Sequence, residues 1–120
     1  MHVVLVNPLI PQNTGSIARL CAGTDSDLHL VGKLGFSLDD RLLKRAGLDY
    51  WPGVRLHIHP DFESLLAQYP PRPMAFFSSH ATRAYSEFAV TDDAWLVFGA
   101  ETTGLPPELR QRFAGDLYKI

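Results

Sequence analysis

The sequence predicts an α/β fold, with a mostly parallel sheet flanked by helices. Short apolar runs of strand length alternate with amphipathic segments of helical period, and Gly, Pro and Asn residues mark the junctions between them. This alternation favours parallel pairing, because each helix carries the chain back to the edge where the previous strand began. The 120 residues are enough for one domain with one core.

Three strands are predicted in the first sixty residues, at His2–Val6, Leu28–Val31 and 54–59. The first two are mainly apolar and rich in Val and Leu, which is typical of buried strands. The third alternates apolar residues with arginine and histidine. It is therefore predicted to be half exposed, with its apolar residues facing the core.

Two helices are predicted between these strands. In the first, apolar or small residues recur at helical spacing and are expected to form the buried stripe: Ile17, Leu20, Cys21 and Thr24. Asn13 and Thr14 precede most of that stripe and are predicted to cap the helix. The second helix is predicted to open at Asp39 and Asp40 and to close at Gly47.

The second half of the chain continues the same alternation. Pro60 and Asp61 predict the start of a helix that ends near Tyr69, followed by a break at 70–73. Later strands are predicted at Met74–Phe77, at Ala94–Phe98 and from Leu117 to Ile120. A last helix is predicted to begin at Pro106.

The composition excludes several classes of protein. Hydrophobic residues make up 46% and charged residues 20%, as in ordinary globular domains. No apolar run approaches the ~20 residues of a membrane span, and residues 1–4 lack the basic start of a signal peptide. A single cysteine excludes an internal disulfide and a cysteine metal cage. These features predict a cytoplasmic protein that does not enter a membrane.

The charge pattern predicts a local contact with RNA. The net charge of −2 argues against a protein that coats nucleic acid. Four basic residues are nevertheless concentrated in one segment: Lys33, Arg41, Lys44 and Arg45. A patch of this kind can contact phosphates although the whole chain is acidic.

Residues 7–19, with the sequence NPLIPQNTGSIAR, form the first candidate ligand-binding segment. In α/β sheets, ligands bind where a strand runs into a helix N-terminus, and backbone N–H groups there suit an anion such as a phosphate. Arg19 is predicted to point away from the buried stripe, where its guanidinium can hold a phosphate or a substrate oxygen. The alternative is an ordinary capped connection with a solvated arginine.

Residues 96–106, LVFGAETTGLP, form the second candidate. Gly99 allows a ligand to lie against the backbone at the strand end. Glu101 is expected either to accept hydrogen bonds from ribose hydroxyls or an amine, or to cap a neighbouring helix N-terminus. In a parallel sheet this loop lies at the same edge as the first candidate. A further strand end, at 76–80, either offers backbone groups to a planar base or forms an ordinary turn.

The histidines do not predict a metal site. His57 and His59 share one face of a strand, but no third ligand lies near them in the sequence, so a half-exposed polar face is the simpler interpretation. His2, His29 and His80 are isolated in the sequence. Cys21 is predicted to be a core residue. Neither a dinucleotide fingerprint nor a Ser-His-Asp constellation stands out.

These segments resemble a known family. Residues 11–22, PQNTGSIARLCA, are similar to the first signature of the SPOUT superfamily of RNA 2'-O-ribose methyltransferases, and residues 98–106, FGAETTGLP, to the second. The residues between them resemble the small, single-domain branch that methylates the wobble cytidine or uridine of certain leucine tRNAs. They are Leu28–Val31, Leu34–Phe36, Asp40 and Arg45–Trp51. The similarity extends over almost the whole chain.

The resemblance implies a knotted α/β fold and the transfer of a methyl group from S-adenosylmethionine to a ribose 2'-hydroxyl in the anticodon stem-loop of a tRNA. Arg19 is the implied catalytic residue. The residues implied to line the cofactor site are Phe77, Gly99, Glu101, Leu105 and Ile120, and those implied to contact substrate are Asn13, Thr14 and Arg45. A cytoplasmic homodimer is also implied, with no metal and no contact with membranes.

Two features depart from the family pattern. The third signature, an Asn- and Ser-containing segment that completes the C-terminal trefoil knot, is not found in residues 1–120 and is expected to follow Ile120 directly. The chain is thus expected to be a single SPOUT domain that lacks its knot-completing segment. Thr103 stands where the family often has arginine, which is expected to weaken a contact with RNA.

Three alternatives stay open. The first is a non-catalytic RNA-binding paralogue of the same fold, which tight tRNA binding without methyl transfer would identify. The second is a small enzyme that binds another nucleotide, such as a dinucleotide, although the glycine fingerprint is missing. The third is a protein-interaction module of flavodoxin-like shape, which leaves the polar strand-end residues unexplained.

Overall fold

The computed structural model describes residues 1–38, 40–47, 53–69 and 73–120. It contains six strands: β1 (His2–Val6), β2 (Asp27–Val31), β3 (Arg55–His59), β4 (Met74–Phe77), β5 (Trp95–Phe98) and β6 (Leu117–Tyr118). Its four α-helices are α1 (Pro11–Gly23), α2 (Arg41–Gly47), α3 (Phe62–Gln68) and α4 (Pro107–Arg112). Single 3-10 turns lie at Tyr85–Glu87 and Ala114–Asp116.

The strands form one sheet in the order β3-β2-β1-β5-β4-β6, and every pairing between them is parallel. The predicted α/β fold with a parallel sheet is therefore confirmed. From β1 the chain adds strands first on one side and then, through β5, on the other. The boundary between β1 and β5 is thus the point at which the winding direction changes, where open α/β sheets form ligand crevices.

Helix α1 buries a different face from the predicted one. It begins at Pro11, with Ile10 as its N-cap residue, so Asn13 and Thr14 lie within the helix and do not cap it. The buried positions include Thr14, Ala18 and Cys21, whereas Leu20 is 67% exposed. The residues that face the sheet follow the spacing i, i+4, i+7 counted from Thr14. Leu20 and Thr24 consequently lie outside the buried stripe, while the prediction that Cys21 is a core residue is confirmed.

Helix α2 begins and ends close to the predicted positions. The Asp40 carboxylate accepts hydrogen bonds from the backbone N–H groups of Leu42 and Leu43, at 2.8 and 3.3 Å, which is the geometry of an N-cap. The helix ends at Gly47. Some predictions lie outside the described residues: the helix start at Asp39, the family-like positions 48–51, and the break at 70–72.

Strand β3 departs from its predicted alternation. Val54 and Leu56 pack against the core beneath α1, as predicted, but Ile58 is 49% exposed. His59, expected on the exposed face, is only 2% exposed. The register of β2 with β3 places His29 beside His57. The histidines that are separate in the sequence are therefore neighbours in the fold, and a half-exposed polar face does not describe them.

Two hydrophobic clusters lie on opposite faces of the sheet. One joins β-strand residues to α3 and α4 through Phe62, Leu65, Leu105 and Leu109. The other joins them to α1 through Ala18 and Cys21. Helix α1 also packs against α2. Within the described residues, no helix is long and apolar enough to cross a membrane.

A candidate ligand site at the carboxyl ends of the strands

A cleft of about 410 Å³ lies where β4 and β5 end, lined by residues 77–80 and 98–105. A second recess, of about 280 Å³, extends from the same Phe77, Ser78 and Ser79 to Lys119 and Ile120 beyond β6. Small-molecule sites usually occupy roughly 300–1,000 Å³. The cleft is therefore large enough for a nucleotide-sized ligand, and it lies at the strand ends that the sequence predicted.

Two aromatic rings form one side of the cleft. Phe77 and Phe98 are register partners at the ends of β4 and β5. Their rings stack with centroids 4.8 Å apart and planes inclined by 14°. Both side chains are half-buried. They offer a planar apolar surface next to the polar loops, a combination that suits a heteroaromatic base.

The loop after β4 is fixed by local hydrogen bonds. The Ser78 N–H donates to the carbonyl of Tyr118 at 3.0 Å, which ties the end of β4 to β6. The Ser78 hydroxyl oxygen accepts from the His80 N–H at 3.1 Å. Residues 78–80 thus form an ordered turn, and Ser79 and His80 are exposed at its tip. The sequence indicated this strand end, Ser79 included, as a possible contact for a planar base, but it did not indicate Lys119, which directly follows β6.

The loop after β5 closes on itself. Ala100 and Gly104 exchange two backbone hydrogen bonds, of 3.1 and 2.8 Å, and Gly104 has a φ of 72°. A Cβ atom placed on Gly99 would lie 2.1 Å from the Gly104 carbonyl carbon and from the Leu105 nitrogen. The chain's own backbone therefore requires glycine at position 99. Sequence reasoning expected a ligand to occupy that space.

Leu105 reaches the cleft through its main chain. Its side chain is 2% exposed and belongs to the core cluster beneath α3 and α4. Ile120, at the far recess, is 79% exposed. The five residues that the family resemblance assigned to the cofactor are therefore brought together around two adjoining recesses: Phe77, Gly99, Glu101 and Leu105 in the cleft, and Ile120 with Phe77 in the second.

Glu101 caps the segment that leads into α1. Its two carboxylate oxygens accept hydrogen bonds from the backbone N–H groups of Leu9 and Ile10, at 2.9 and 2.8 Å. Partial burial raises the pKa of Glu101, but these two hydrogen bonds outweigh that effect and the pKa is lowered from its ordinary value. The capping alternative is confirmed. The two N–H groups that precede Pro11 are thus paired with the protein's own carboxylate, and the binding of a ligand phosphate at the helix start stays a prediction.

This contact joins the two candidate segments across the boundary between β1 and β5. A third recess of about 380 Å³ lies there, lined by residues of both segments, among them Asn13, Thr14, Phe98 and Glu101. Because Glu101 holds residues 9 and 10, the loop beside the cleft and the start of α1 are fixed relative to each other.

The residues expected to contact substrate are placed differently from one another. Asn13 is exposed at the third recess. Thr14 has no exposed surface, and its hydroxyl lacks a hydrogen-bond partner among the described residues. It is buried in α1 and also borders the third recess, so its predicted contact with substrate stays a prediction. Arg19 and Arg45 are exposed on α1 and α2, the packed helix pair. Neither belongs to the described lining of the three recesses.

The chain was compared with known proteins. The model of the SpoU rRNA Methylase family matches residues 1–120. A tRNA (cytidine(34)-2'-O)-methyltransferase of Burkholderia cenocepacia (strain HI2424) is 44% identical over 117 residues, which cover 96% of this chain and 75% of that protein. A protein of Acidovorax sp. (strain JS42) with the same name is 46% identical over 114 residues, which cover 93% of this chain and 70% of that protein.

Solved structures have the same architecture. One described as "Structural insights into the 2-OH methylation of C/U34 on tRNA" matches with a TM-score of 0.93 and 42% identity, over 99% of this chain and 78% of that chain. The SpoU methyltransferase AviRb of Streptomyces viridochromogenes, in complex with AdoMet, matches with a TM-score of 0.85 and 20% identity, over 100% of this chain and 50% of that one. At that identity the second match shows the fold alone.

Proposed function

The chain belongs to the SpoU methylase family, and on that basis we propose that it transfers a methyl group from S-adenosylmethionine to the ribose 2'-hydroxyl of the wobble nucleotide of a tRNA. The observation that carries this proposal is the cleft at the ends of β4 and β5, to which Glu101 fixes the start of α1. Relatives more than 40% identical over most of the chain act at cytidine 34, according to their names.

The donor set of the cleft fits S-adenosylmethionine. The lining combines backbone groups of two strand-end loops with the hydroxyls of Ser78, Ser79, Thr102 and Thr103. Such groups suit the base and ribose of an adenosine, and the stacked pair Phe77 and Phe98 supplies the planar apolar surface. We assign cofactor contacts to Phe77, Gly99, Leu105 and Ile120, and to Glu101 through the loop that it holds. The bound cofactor supplies an activated methyl group.

The contribution of the protein to the reaction is positioning. A well-oriented pair of reactants gains roughly 7–11 kcal/mol over the same pair free in solution. Here the hydrogen bonds that Glu101 accepts from the N–H groups of residues 9 and 10 fix α1, and with it Arg19, relative to the cofactor cleft. A guanidinium keeps its proton at neutral pH, so Arg19 is not a simple base. We assign to Arg19 the binding of the flanking phosphate and the stabilisation of the emerging alkoxide, while the proton leaves to the phosphate or to water.

The tRNA-binding surface is proposed on the packed helices α1 and α2. Their exposed residues Asn13, Arg19, Arg41 and Arg45 combine hydrogen-bonding groups and positive charge on one helix pair. Phosphate contacts of this kind position a nucleic acid without reading its sequence. The resemblance further supports the anticodon stem-loop of a leucine tRNA as substrate, a homodimer as the active form, and action in the cytoplasm, where tRNA is modified.

The proposal is tested by a methyl-transfer assay with leucine tRNA transcripts and S-adenosylmethionine, followed by mass spectrometry of the digested tRNA. One 2'-O-methyl group is expected, on nucleotide 34. The matched control is the same tRNA with a 2'-deoxynucleotide at that position, which should accept no methyl group. Methylation that persists on the deoxy substrate would contradict the proposed acceptor. Tight tRNA binding without any transfer would leave the RNA-binding paralogue as the better account.

Replacing Arg19 tests the division of roles. Arg19→Ala is expected to lower turnover by roughly 10²–10³-fold, the usual effect of removing one transition-state donor, while the affinity for S-adenosylmethionine measured by calorimetry changes little. Arg112→Ala is the control, because Arg112 pairs with Glu63 at the opposite side of the fold. An equal loss of turnover and cofactor affinity in Arg19→Ala would show that Arg19 acts on the cofactor instead.

A further inference from the structure

Four histidines lie in contact on the face of the sheet that Tyr69 covers. His2 comes from β1, His29 from β2, and His57 and His59 from β3. Ring centroids of neighbouring pairs are 4.5–5.3 Å apart. His2 and Asp27 begin their strands and are register partners. His2 and Asp27 therefore lie at the amino ends of β1 and β2, although His59 ends β3, whereas the proposed cofactor cleft lies at the carboxyl ends of β4 and β5.

The imidazoles form a hydrogen-bonded chain. His2 Nδ1 lies 2.9 Å from His29 Nε2, and His29 Nδ1 lies 3.0 Å from His59 Nε2. His29 thus uses both of its ring nitrogens. Each neutral imidazole offers one donor and one acceptor, so this chain needs no charge on any ring.

Asp27 brings a carboxylate to the same place. One of its oxygens lies 2.8 Å from His57 Nε2, and the other accepts from Arg55 Nε at 2.8 Å. A ligand atom of Asp27 lies within 4.8 Å of ligand atoms of both His2 and His29. Two imidazole nitrogens and a carboxylate oxygen are ligands that zinc and similar ions accept.

The spacing is close to that of a coordination sphere. Two nitrogens bound to one tetrahedral zinc ion, each at 2.0–2.1 Å, lie about 3.3 Å apart. His2 Nδ1 and His29 Nε2 are 2.9 Å apart, so a small separation of the rings admits an ion between them. His2 is only half-buried, which leaves access from solvent.

The surrounding groups hold the ligands as outer-shell partners do in known metal sites. The second nitrogen of His29 contacts His59, which fixes the orientation of the His29 ring. Arg55 and His57 orient the Asp27 carboxylate. A carboxylate has about four acceptor positions, so two hydrogen bonds leave capacity for a metal.

We propose that His2, Asp27 and His29 bind one divalent transition-metal ion of the zinc class, with His57, His59 and Arg55 as its outer layer. The ion ties β1 to β2 at the edge of the sheet away from the cofactor cleft. Its role is structural. An ion that binds only the folded chain stabilises the fold, and this stabilisation grows with the logarithm of the ratio of the free ion concentration to the dissociation constant. The proposal does not depend on the proposed methyl transfer.

Calorimetry with zinc chloride tests the site on untagged protein that has been treated with a chelator. One ion should bind per chain. NMR correlation of the histidine ring nitrogens should then show metal-induced shifts at His2 Nδ1 and His29 Nε2. Absence of binding would overturn the proposal, and so would shifts confined to His80, the exposed histidine beside the cofactor cleft.

Variants separate this site from general surface binding. His2→Ala and Asp27→Asn should each weaken zinc binding by about tenfold or more, whereas His80→Ala should leave it unchanged. His29 is not replaced for the binding measurement, because it is fully buried and its replacement would lower stability as well as remove a ligand. The metal-free variants are first compared with the parent by thermal unfolding. Affinity that is unchanged in both His2→Ala and Asp27→Asn would overturn the proposal, and the NMR result on the parent chain decides it even if one variant does not fold.

Discussion

At the residue scale, the Glu101 carboxylate connects two segments that are more than ninety residues apart in the sequence. Its hydrogen bonds to the N–H groups of Leu9 and Ile10 are of the charge-assisted kind, because the lowered pKa of Glu101 keeps the group ionised. A glutamine side chain retains one acceptor oxygen but presents its amide NH2 group, a donor, to the second N–H. Both contacts therefore require the two acceptor oxygens of the carboxylate.

Glu101→Gln should lower the free energy of unfolding by about 1 kcal/mol, a value reduced from that of a buried charged hydrogen bond because Glu101 is exposed. Urea denaturation measures this change. Glu108→Gln, on the exposed side of α4, is the control and should change stability by much less. Turnover should also fall in Glu101→Gln, since α1 is then less firmly fixed. Equal stability of the two variants would contradict the proposed connection.

Also at the residue scale, the buried His29 makes stability depend on pH. The pKa of His29 is about 3 in the folded chain, against an ordinary value of 6.5. Between about pH 3 and pH 6.5, His29 is therefore protonated in the unfolded chain but neutral in the folded chain. Its contribution to stability is complete above about pH 6.5 and is lost as the pH falls toward 3, by at most about 1.4 kcal/mol per pH unit.

Urea denaturation in chelator between pH 7 and about pH 5.5 should show the onset of this loss, in a range that stays about one pH unit or more above the ordinary pKa values of the carboxyl groups. His29→Gln should have lower stability at neutral pH but a flatter pH dependence. His80→Gln, at an exposed position, is the control and should keep the slope of the parent chain. A slope that His29→Gln leaves unaltered would show that another group carries the titration.

At the element scale, the loop between β5 and α4 folds onto its own beginning. Gly99 lies so close to the backbone of residues 104 and 105 that even a methyl group would overlap with it at 2.1 Å. Because both neighbours are backbone atoms, they cannot move aside as a flexible side chain can. Relief requires that the paired residues Ala100 and Gly104 separate.

Gly99→Ala should therefore destabilise the fold by about 1–3 kcal/mol, the usual cost of overpacking, and should abolish binding of S-adenosylmethionine to the distorted cleft. Thermal unfolding and calorimetry measure the two effects. Gly115→Ala is the matched control, because nothing lies within 4 Å of a Cβ atom at that position. Wild-type affinity in Gly99→Ala would remove this loop from the cofactor site.

At the scale of the whole molecule, α1 leaves Leu20 exposed to 67% on the same helix that carries Arg19. An exposed leucine of this kind is a candidate for burial in the proposed homodimer, and we expect the partner to cover it. Leu20→Glu should shift the dimer toward monomer in sedimentation experiments while the free energy of unfolding changes by less than about 0.5 kcal/mol. Ile58→Glu is the control, since Ile58 is likewise exposed but lies on the edge strand β3. A dimer that persists in Leu20→Glu would exclude this face.

The sequence by itself determined the elements and their order. The strands His2–Val6 and Met74–Phe77 were predicted with their observed bounds, and Asp40 and Gly47 bound α2 as expected. Apolar runs, capping residues and glycines act within a few residues of themselves, so they can be read without knowledge of the fold. The signature segments around Arg19 and Gly99 likewise indicated the family before any contact was known.

Only the tertiary structure decided which residues meet. The buried side of α1 depends on the angle at which the helix leaves Pro11, and this placed Thr14 inside and Leu20 outside. Glu101 finds residues 9 and 10 because β1 and β5 are neighbours, and His29 finds His2 and His59 because β2 lies between β1 and β3. These contacts depend on strand order and register, which are set by packing across the whole sheet and have no local signal in the sequence.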